Sequence, residues 1–187
     1  LVKSDHNVLA AFFQVMSAST TAGFNTVNIG ALSTTSLSVL IAAMVIGASP
    51  SGTGGGIKTT SISVLLGVVQ SVMRGQFKQI CFLNRTIPFN RVFTSIAAAT
   101  TYIFTLIIVV YLLTLTEPFS FLELCFEAAS ALGTVGLSMG ITADLSMWGK
   151  IILSIAMFLG RVGPLSLGIA IFKSESNVIP CKSDLAT

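Results

Sequence analysis

Residues 92–116 form an apolar run without a single charged side chain, and this run constrains the fold more than any other feature. A bilayer core requires about 20 apolar residues of α-helix, so the run is long enough to cross a membrane. The chain as a whole is 53% hydrophobic and only 9% charged, whereas soluble domains carry roughly 25% charged residues. We therefore expect an all-α protein embedded in a lipid bilayer.

Two further apolar stretches predict membrane helices with polar interruptions. Residues 37–48 and 57–73 flank a break that contains Pro50 and three consecutive glycines, which a helix does not tolerate. Because unsatisfied backbone in lipid is costly, this break should line a protein-enclosed or watery cavity. Residues 151–172 predict one final span with Arg161 near its middle, and a charge at that depth indicates a functional site.

Two shorter amphipathic segments, residues 7–17 and 119–130, precede the broken helix and the final span. Both are too short to cross a bilayer, so they predict re-entrant pore helices. Glu123 and Glu127 share one face of the second segment. That pair indicates either a solvated face, which we favour slightly, or an outer cation funnel.

The loop charges predict an orientation. The charged residues of the loop that follows the broken helix are all basic, namely Arg74, Lys78, Arg85 and Arg91. Residues 116–150 instead carry four acids against Lys150 alone. The positive-inside rule therefore places the first loop in the cytoplasm and the second outside, and the tail after the final span in the cytoplasm.

An internal repeat organises the chain at an offset of 113 residues, from Thr21 to Thr134. Thr21-Ala22-Gly23 pairs with Thr134-Val135-Gly136 in this register. The same offset pairs Phe13 with Phe126, Ser17 with Ser130, Met44 with Met157, and Gly47 with Gly160. One ungapped register thus covers the pore helix, the Thr-x-Gly tripeptide and the following helix.

The Thr-x-Gly tripeptide has the chemistry of a cation selectivity filter. Such a filter replaces the hydration shell of the ion with backbone carbonyls, which requires extended backbone that only Gly tolerates at some positions. The preceding helix directs its negative C-terminal end toward the cavity. The alternative is that Thr-x-Gly merely turns a loop between packed helices.

Four segments resemble the Trk/Ktr/HKT superfamily of potassium transporters, specifically its bacterial Trk and Ktr membrane subunits: residues 19–26, 52–60, 133–138 and 157–165. In that family, four repeats of membrane helix, pore loop and membrane helix, of potassium-channel type, surround a central pore. The resemblance implies that residues 1–75 are the third repeat without its first helix. It also implies a cytoplasmic loop at 76–91, the fourth repeat at 92–172 and a cytoplasmic tail at 173–187.

The resemblance further implies which residues act. K+ would bind at the filter residues Thr20, Thr21, Ala22, Gly23, Phe24, Asn25, Gly133, Thr134, Val135, Gly136, Leu137 and Ser138. A gating loop beneath the filter would comprise Ser51, Gly52, Thr53, Gly54, Gly55 and Gly56, with Lys58 at its end and Arg161 beside it. Lys58 could equally snorkel to the membrane interface, and Arg161 could serve helix packing alone.

The family resemblance implies potassium uptake across the bacterial inner membrane, with Na+ or H+ as candidate coupling ions. It also implies homodimerisation, a cytoplasmic ring of nucleotide-binding regulatory subunits, and N-terminal repeats that belong to the same longer chain. The alternatives are a secondary transporter of a small solute, a sodium-permeable member of the superfamily, a purely structural membrane subunit, and a dimer of half-transporters. Strict selectivity for K+ over Na+ depends on the two filter repeats that this sequence lacks.

Enzymatic and nucleic-acid roles find no support in the sequence. Residues 52–60 superficially resemble a phosphate-binding loop but lack its G-K-[ST] spacing and a preceding strand. The three cysteines are widely spaced, so they predict neither a zinc site nor a disulfide framework. The basic residues are not interleaved with aromatic ones, so a nucleic-acid surface is a poor fit.

Overall fold

Seven α-helices account for most of the described residues, which in this computed structural model are 8–47, 54–75, 81–82 and 85–172. The helices are α1 (Val8–Ser19), α2 (Thr34–Val45), α3 (Thr59–Met73), α4 (Phe89–Thr116), α5 (Phe121–Gly133), α6 (Met147–Val162) and α7 (Pro164–Phe172). Short 3-10 turns lie at Ile29–Ala31 and Ile141–Ala143. The strands β1 (Cys81–Phe82) and β2 (Arg85–Thr86) form a minimal antiparallel pair. The fold class is therefore all-α, as the sequence predicts.

The sequence repeat recurs in the helix boundaries. The two short helices α1 and α5 begin at equivalent positions of the repeat, and so do α2 and α6. Even the N-caps are equivalent, because the Ser33 side chain accepts a hydrogen bond from Ser36 N–H and the Ser146 side chain accepts one from Gly149 N–H. Serine is a favoured N-cap, so local sequence fixes both helix starts in the same way.

Helix α5 lies at the centre of the structure, where it packs against α2, α4 and α6. All of its residues from Phe126 to Gly133 are buried. A capping box between Ser120 and Glu123 fixes where the helix begins. The buried residues Ala128 and Ala131 have small side chains, which favour close packing of helices. The central packing of α5 holds its C-terminal end, and the segment that follows it, in one position.

Helix α4 is the clear membrane span. Among the described residues it is the one unbent helix that is both long and apolar enough to cross a bilayer. Much of its surface faces outward with large apolar side chains, including Phe93, Ile103, Phe104, Ile107 and Leu115. The helix begins at Phe89, three residues before the predicted start. The predicted loop at 76–91 therefore ends within the first turn of α4.

The residues predicted as the final span, 151–172, form two helices at an angle and not one continuous helix. Helix α6 ends at Val162, and the chain bends by 83° before α7. Gly163 adopts a φ of +87°, which glycine tolerates because it has no Cβ, and Pro164 suits the first turn of the next helix. Arg161 consequently lies in the last turn of α6, beside the bend between the two helices.

The apolar run of the first repeat is divided between two helices. Helix α2 ends at Val45 and α3 begins at Thr59. The chain returns to the end of α2 after the break, because Gly47 N–H donates to Ile57 O and Ile57 N–H donates to Val45 O, both at 3.0 Å. Residues 48–53 and the tail at 173–187 lie outside the described residues.

Candidate functional site

The two Thr-x-Gly segments share an unusual backbone conformation. We call residues 20–25 the first segment and residues 133–138 the second segment. Thr21 and Thr134 have φ angles of 58° and 55°, and Gly23 and Gly136 have φ angles of 75° and 90°. A β-branched residue in the left-handed region is a genuine outlier. Such strain amounts to about 1–3 kcal/mol per residue and clusters at functional sites. Its recurrence at equivalent positions of both repeats marks these segments as the candidate site.

Equivalent hydrogen bonds lead the chain out of each preceding helix. Ala22 N–H donates to Ser17 O at 3.0 Å, and Val135 N–H donates to Ser130 O at 2.9 Å. The chain therefore leaves the C-terminal ends of α1 and α5 with the same hydrogen-bond pattern.

The structure brings the two segments side by side. A Cβ atom on Gly23 would collide with the carbonyl oxygen of Val135 and would lie 3.5 Å from the Cα of Gly136. Gly23 therefore permits a close backbone approach between the repeats, in addition to supplying a positive φ.

The remaining predicted filter residues differ in exposure between the segments. In the first segment Thr20, Ala22, Phe24 and Asn25 are exposed. In the second segment Val135 and Leu137 are buried in the core. The second segment is therefore packed on its outer side by α2 and α5, whereas much of the first is uncovered in this chain.

Behind the second segment lies the buried carboxylate of Glu127, which is 4% exposed. Its Oε1 accepts hydrogen bonds from Ser138 Oγ at 2.6 Å and from Met139 N–H at 3.0 Å. Its Oε2 accepts one from Thr142 Oγ1 at 2.8 Å. The prediction that Glu127 belongs to a solvated face or an outer cation funnel is therefore wrong.

The equivalent residue of the first repeat is Gln14, and it makes one of the equivalent hydrogen bonds. Its Oε1 accepts a hydrogen bond from Thr26 N–H at 3.1 Å. Thr26 is the repeat equivalent of Met139, so one polar side chain of each pore helix holds the backbone just beyond each Thr-x-Gly segment. The sequence contained a signal for this pair, because the repeat register aligns two polar residues within apolar helices.

The described part of the predicted gating loop, Gly54–Gly56, contacts the second segment directly. Gly55 N–H donates a hydrogen bond to Thr134 Oγ1 at 2.8 Å. A Cβ atom on Gly55 would lie only 2.7 Å from Leu132 O and 2.8 Å from the carbonyl oxygen of Gly133. Glycine is therefore required where this loop meets the C-terminal end of α5.

Both predicted gating cations lie beside this loop. Lys58 Nζ donates a hydrogen bond to Gly54 O at 2.7 Å. Lys58, Arg161 and Gly54–Gly56 line one cavity of about 430 Å³, together with the buried Tyr102. The predicted gating residues Ser51, Gly52 and Thr53 lie outside the described residues.

Comparison with known proteins identifies relatives over nearly the whole chain. The family model TrkH, described as a cation transport protein, matches residues 2–179. The Ktr system potassium uptake protein B of Vibrio alginolyticus is 39% identical over 176 residues, which cover 94% of this chain and 38% of that protein. The protein of the same name from Bacillus subtilis (strain 168) is 36% identical over 170 residues, which cover 91% of this chain and 38% of that protein.

The fold also matches a solved structure. The crystal structure of the potassium transporter TrkH from Vibrio parahaemolyticus has a TM-score of 0.72 and 23% sequence identity, and the match covers 87% of this chain and 36% of that one. The chain thus spans less than two fifths of the length of these relatives. The matched family consists of cation transporters of the membrane and not of enzymes. This chain belongs to the TrkH family of cation transport proteins.

Proposed function

We propose that this chain forms the third and fourth quadrants of a four-repeat pore that takes up K+ across the bacterial inner membrane. One observation carries the proposal. Two segments with the same strained threonine and the same positive-φ glycine lie next to each other, each at the C-terminal end of a short helix. The Ktr and TrkH relatives are named as potassium transporters, which supports K+ as the ion.

The physical basis is replacement of the hydration shell of the ion. Carbonyl and hydroxyl oxygens of residues 20–25 and 133–138 supply the substitute ligands for K+. Helices α1 and α5 end at these segments, and each helix terminus stabilises a nearby cation by about 0.3–1 kcal/mol at an exposed site and by more where water is excluded. A buried helix such as α5 supplies this stabilisation without reorganisation.

The asymmetry between α1 and α5 supports a four-repeat pore. Helix α5 is surrounded by α2, α4 and α6, whereas α1 packs mainly against α2. Helix α1 consequently exposes large apolar side chains at Val8, Leu9 and Phe12. In this proposal the first two repeats of a longer chain cover that face. The match covers only 38% of each Ktr relative, which agrees with this arrangement. A dimer of half-transporters is the alternative.

The glycine-rich loop serves as the gate of the proposed pore. Its contacts support this role, because Gly55 is hydrogen-bonded to Thr134 of the second segment and Lys58 is hydrogen-bonded to Gly54. Such a small, polar segment can switch between blocking and open positions. Arg161 adds positive charge to the shared cavity and raises the barrier for a passing cation. Ser51, Gly52 and Thr53 complete the gate in this proposal.

The assembly around this pore remains a set of predictions from the family resemblance. They are homodimerisation, a cytoplasmic ring of nucleotide-binding regulatory subunits, coupling to Na+ or H+, and a cytoplasmic position for residues 76–91 and 173–187.

A growth experiment tests the proposed function. The full-length protein is expressed in a bacterial strain that lacks its own potassium uptake systems, and growth is measured at low external K+. We expect rescue that depends on K+. Absence of rescue, together with saturable uptake of an organic solute, would instead support a secondary transporter. Na+ uptake at the same rate as K+ uptake would identify a sodium-permeable member of the superfamily.

A further inference from the structure

We infer that Glu127 is a positioning residue that fixes the second Thr-x-Gly segment and thereby sets how well the fourth quadrant of the filter discriminates K+ from Na+. This inference rests on the proposed function. It concerns a residue that contacts the backbone beyond Gly136 and not the ion itself.

The contacts of Glu127 form a closed network around the residues that follow the tripeptide. The carboxylate receives hydrogen bonds from Ser138 Oγ, Met139 N–H and Thr142 Oγ1. Ser138 Oγ in turn accepts a hydrogen bond from Gly140 N–H at 2.9 Å and lies 2.8 Å from Thr142 Oγ1. Two hydroxyls and one backbone N–H group therefore donate to one buried side chain, and they tie residues 138–142 to the centre of α5.

The first repeat shows what a weaker version of this network looks like. Gln14 holds Thr26 N–H through Oε1, but its buried Nε2 has no hydrogen-bond partner among the described residues. Asn25 and Ile29 occupy the repeat positions of Ser138 and Thr142. The acid and both hydroxyls thus occur together in one repeat and are replaced together in the other. Glu127 therefore accepts three hydrogen bonds in the fourth quadrant, whereas Gln14 accepts one in the third, where Ser17 Oγ also donates to Phe24 O at 2.6 Å.

The physical consequence concerns the filter backbone. A buried carboxylate is tolerated only when hydrogen bonds satisfy its oxygens, and bonds to a charged acceptor are stronger than neutral ones. The three bonds restrict the backbone just after Gly136. Discrimination between K+ and Na+ depends on the position and the field of the coordinating carbonyls. Loosening residues 138–142 should therefore weaken discrimination more than it weakens transport itself.

The test uses the purified full-length transporter in liposomes, with KM and maximal flux measured separately for K+ and Na+. Glu127→Ala should lower the ratio of the Na+ KM to the K+ KM by about tenfold, because all three bonds to a charged acceptor are lost. Glu127→Gln should lower this ratio by about threefold, because the amide oxygen can still accept a hydrogen bond from Met139 N–H. Gln14 accepts the equivalent hydrogen bond from Thr26 N–H in the first repeat. An unchanged ratio in Glu127→Ala overturns the inference.

Glu123→Gln is the matched control, because it removes a carboxylate from the same helix one turn away. Gln also serves in a capping box, so α5 should keep its start. This control should retain the wild-type ratio, and a loss equal to that of Glu127→Gln would overturn the inference by assigning the effect to charge on α5 in general.

A second variant covers the case in which Glu127→Ala does not assemble. Thr142→Val keeps the carboxylate and removes one donor from a residue outside the second segment, and it should lower the ratio by about threefold. If it keeps the wild-type ratio, Glu127 is merely a packing residue. If the wild-type protein itself carries no K+, the proposed function fails, whereas a discriminating wild type with unaffected variants refutes only the role of Glu127.

Discussion

Gly55 N–H donates a hydrogen bond to the hydroxyl oxygen of Thr134 at 2.8 Å. The two residues belong to different repeats, one in the glycine-rich loop and the other in the second Thr-x-Gly segment. Thr134 is also one of the two threonines held at positive φ. In the proposed pore, the position of the gate is thus linked directly to the backbone of the filter.

We expect Thr134→Val to raise the K+ flux that passes through the transporter when its gate is in the blocking position. The substitution keeps the β-branched shape but leaves Gly55 N–H without its acceptor, which costs the blocking position about 1–3 kcal/mol. The measurement is K+ efflux from liposomes that contain the full-length protein. Thr134→Ser keeps the hydroxyl and should restore wild-type flux, and unchanged efflux in Thr134→Val would contradict the link between gate and filter.

Lys58→Met should also raise flux. The side chain keeps its length, but it no longer donates to Gly54 O, and it removes a positive charge from the cavity beside the gate. The matched control is Arg74→Met, because Arg74 is an exposed basic residue at the opposite end of α3. The comparison is the maximal K+ flux at equal protein density. Equal changes in both variants would argue that Lys58 acts only as a general surface charge.

Gly160→Ala should destabilise the transporter, because the added Cβ would collide with the carbonyl oxygen of Leu132 on α5. Backbone cannot move aside as a side chain can, and overpacking of this kind costs about 1–3 kcal/mol. Thermal unfolding in detergent measures the effect as a lowered Tm.

Gly168→Ala is the control for that experiment, since no atom lies within 4 Å of its added Cβ. We expect no loss of thermal stability there. A similar Tm for both variants would mean that close packing of α5 against α6 is not what requires glycine at position 160.

Much of this fold could be predicted from the sequence because the repeat and the apolar runs are local signals. The register of Thr21 with Thr134 predicted equivalent positions, and the structure repeats the strained backbone as well as the residue types. The break between α2 and α3 was predicted because consecutive glycines and Pro50 cannot continue a helix. At the break, and at Gly23 and Gly136 of the repeat, the residue type itself limits the backbone.

Two features could not be predicted because they depend on tertiary contacts. Spacing placed Glu123 and Glu127 on one helical face, but only the packing of α5 shows that Glu127 is enclosed and that Glu123 caps the helix. Gly163 and Pro164 signal a helix break in the sequence, but the direction of the bend at Gly163 depends on what α6 and α7 pack against. Composition predicts that a segment can lie in a lipid bilayer, but it does not predict the direction of the chain after a glycine.

The most direct test of the central claim is the ratio of K+ flux to Na+ flux in the full-length Gly136→Ser variant. No atom lies within 4 Å of a Cβ added at Gly136, so the variant has room to fold. Its φ of 90° nevertheless disfavours any side chain, at a cost of about 1–2 kcal/mol, and should shift the filter backbone. We predict that the ratio falls by about tenfold while Na+ flux is retained. An unchanged ratio at normal flux would contradict the claim that this segment forms part of the selectivity filter.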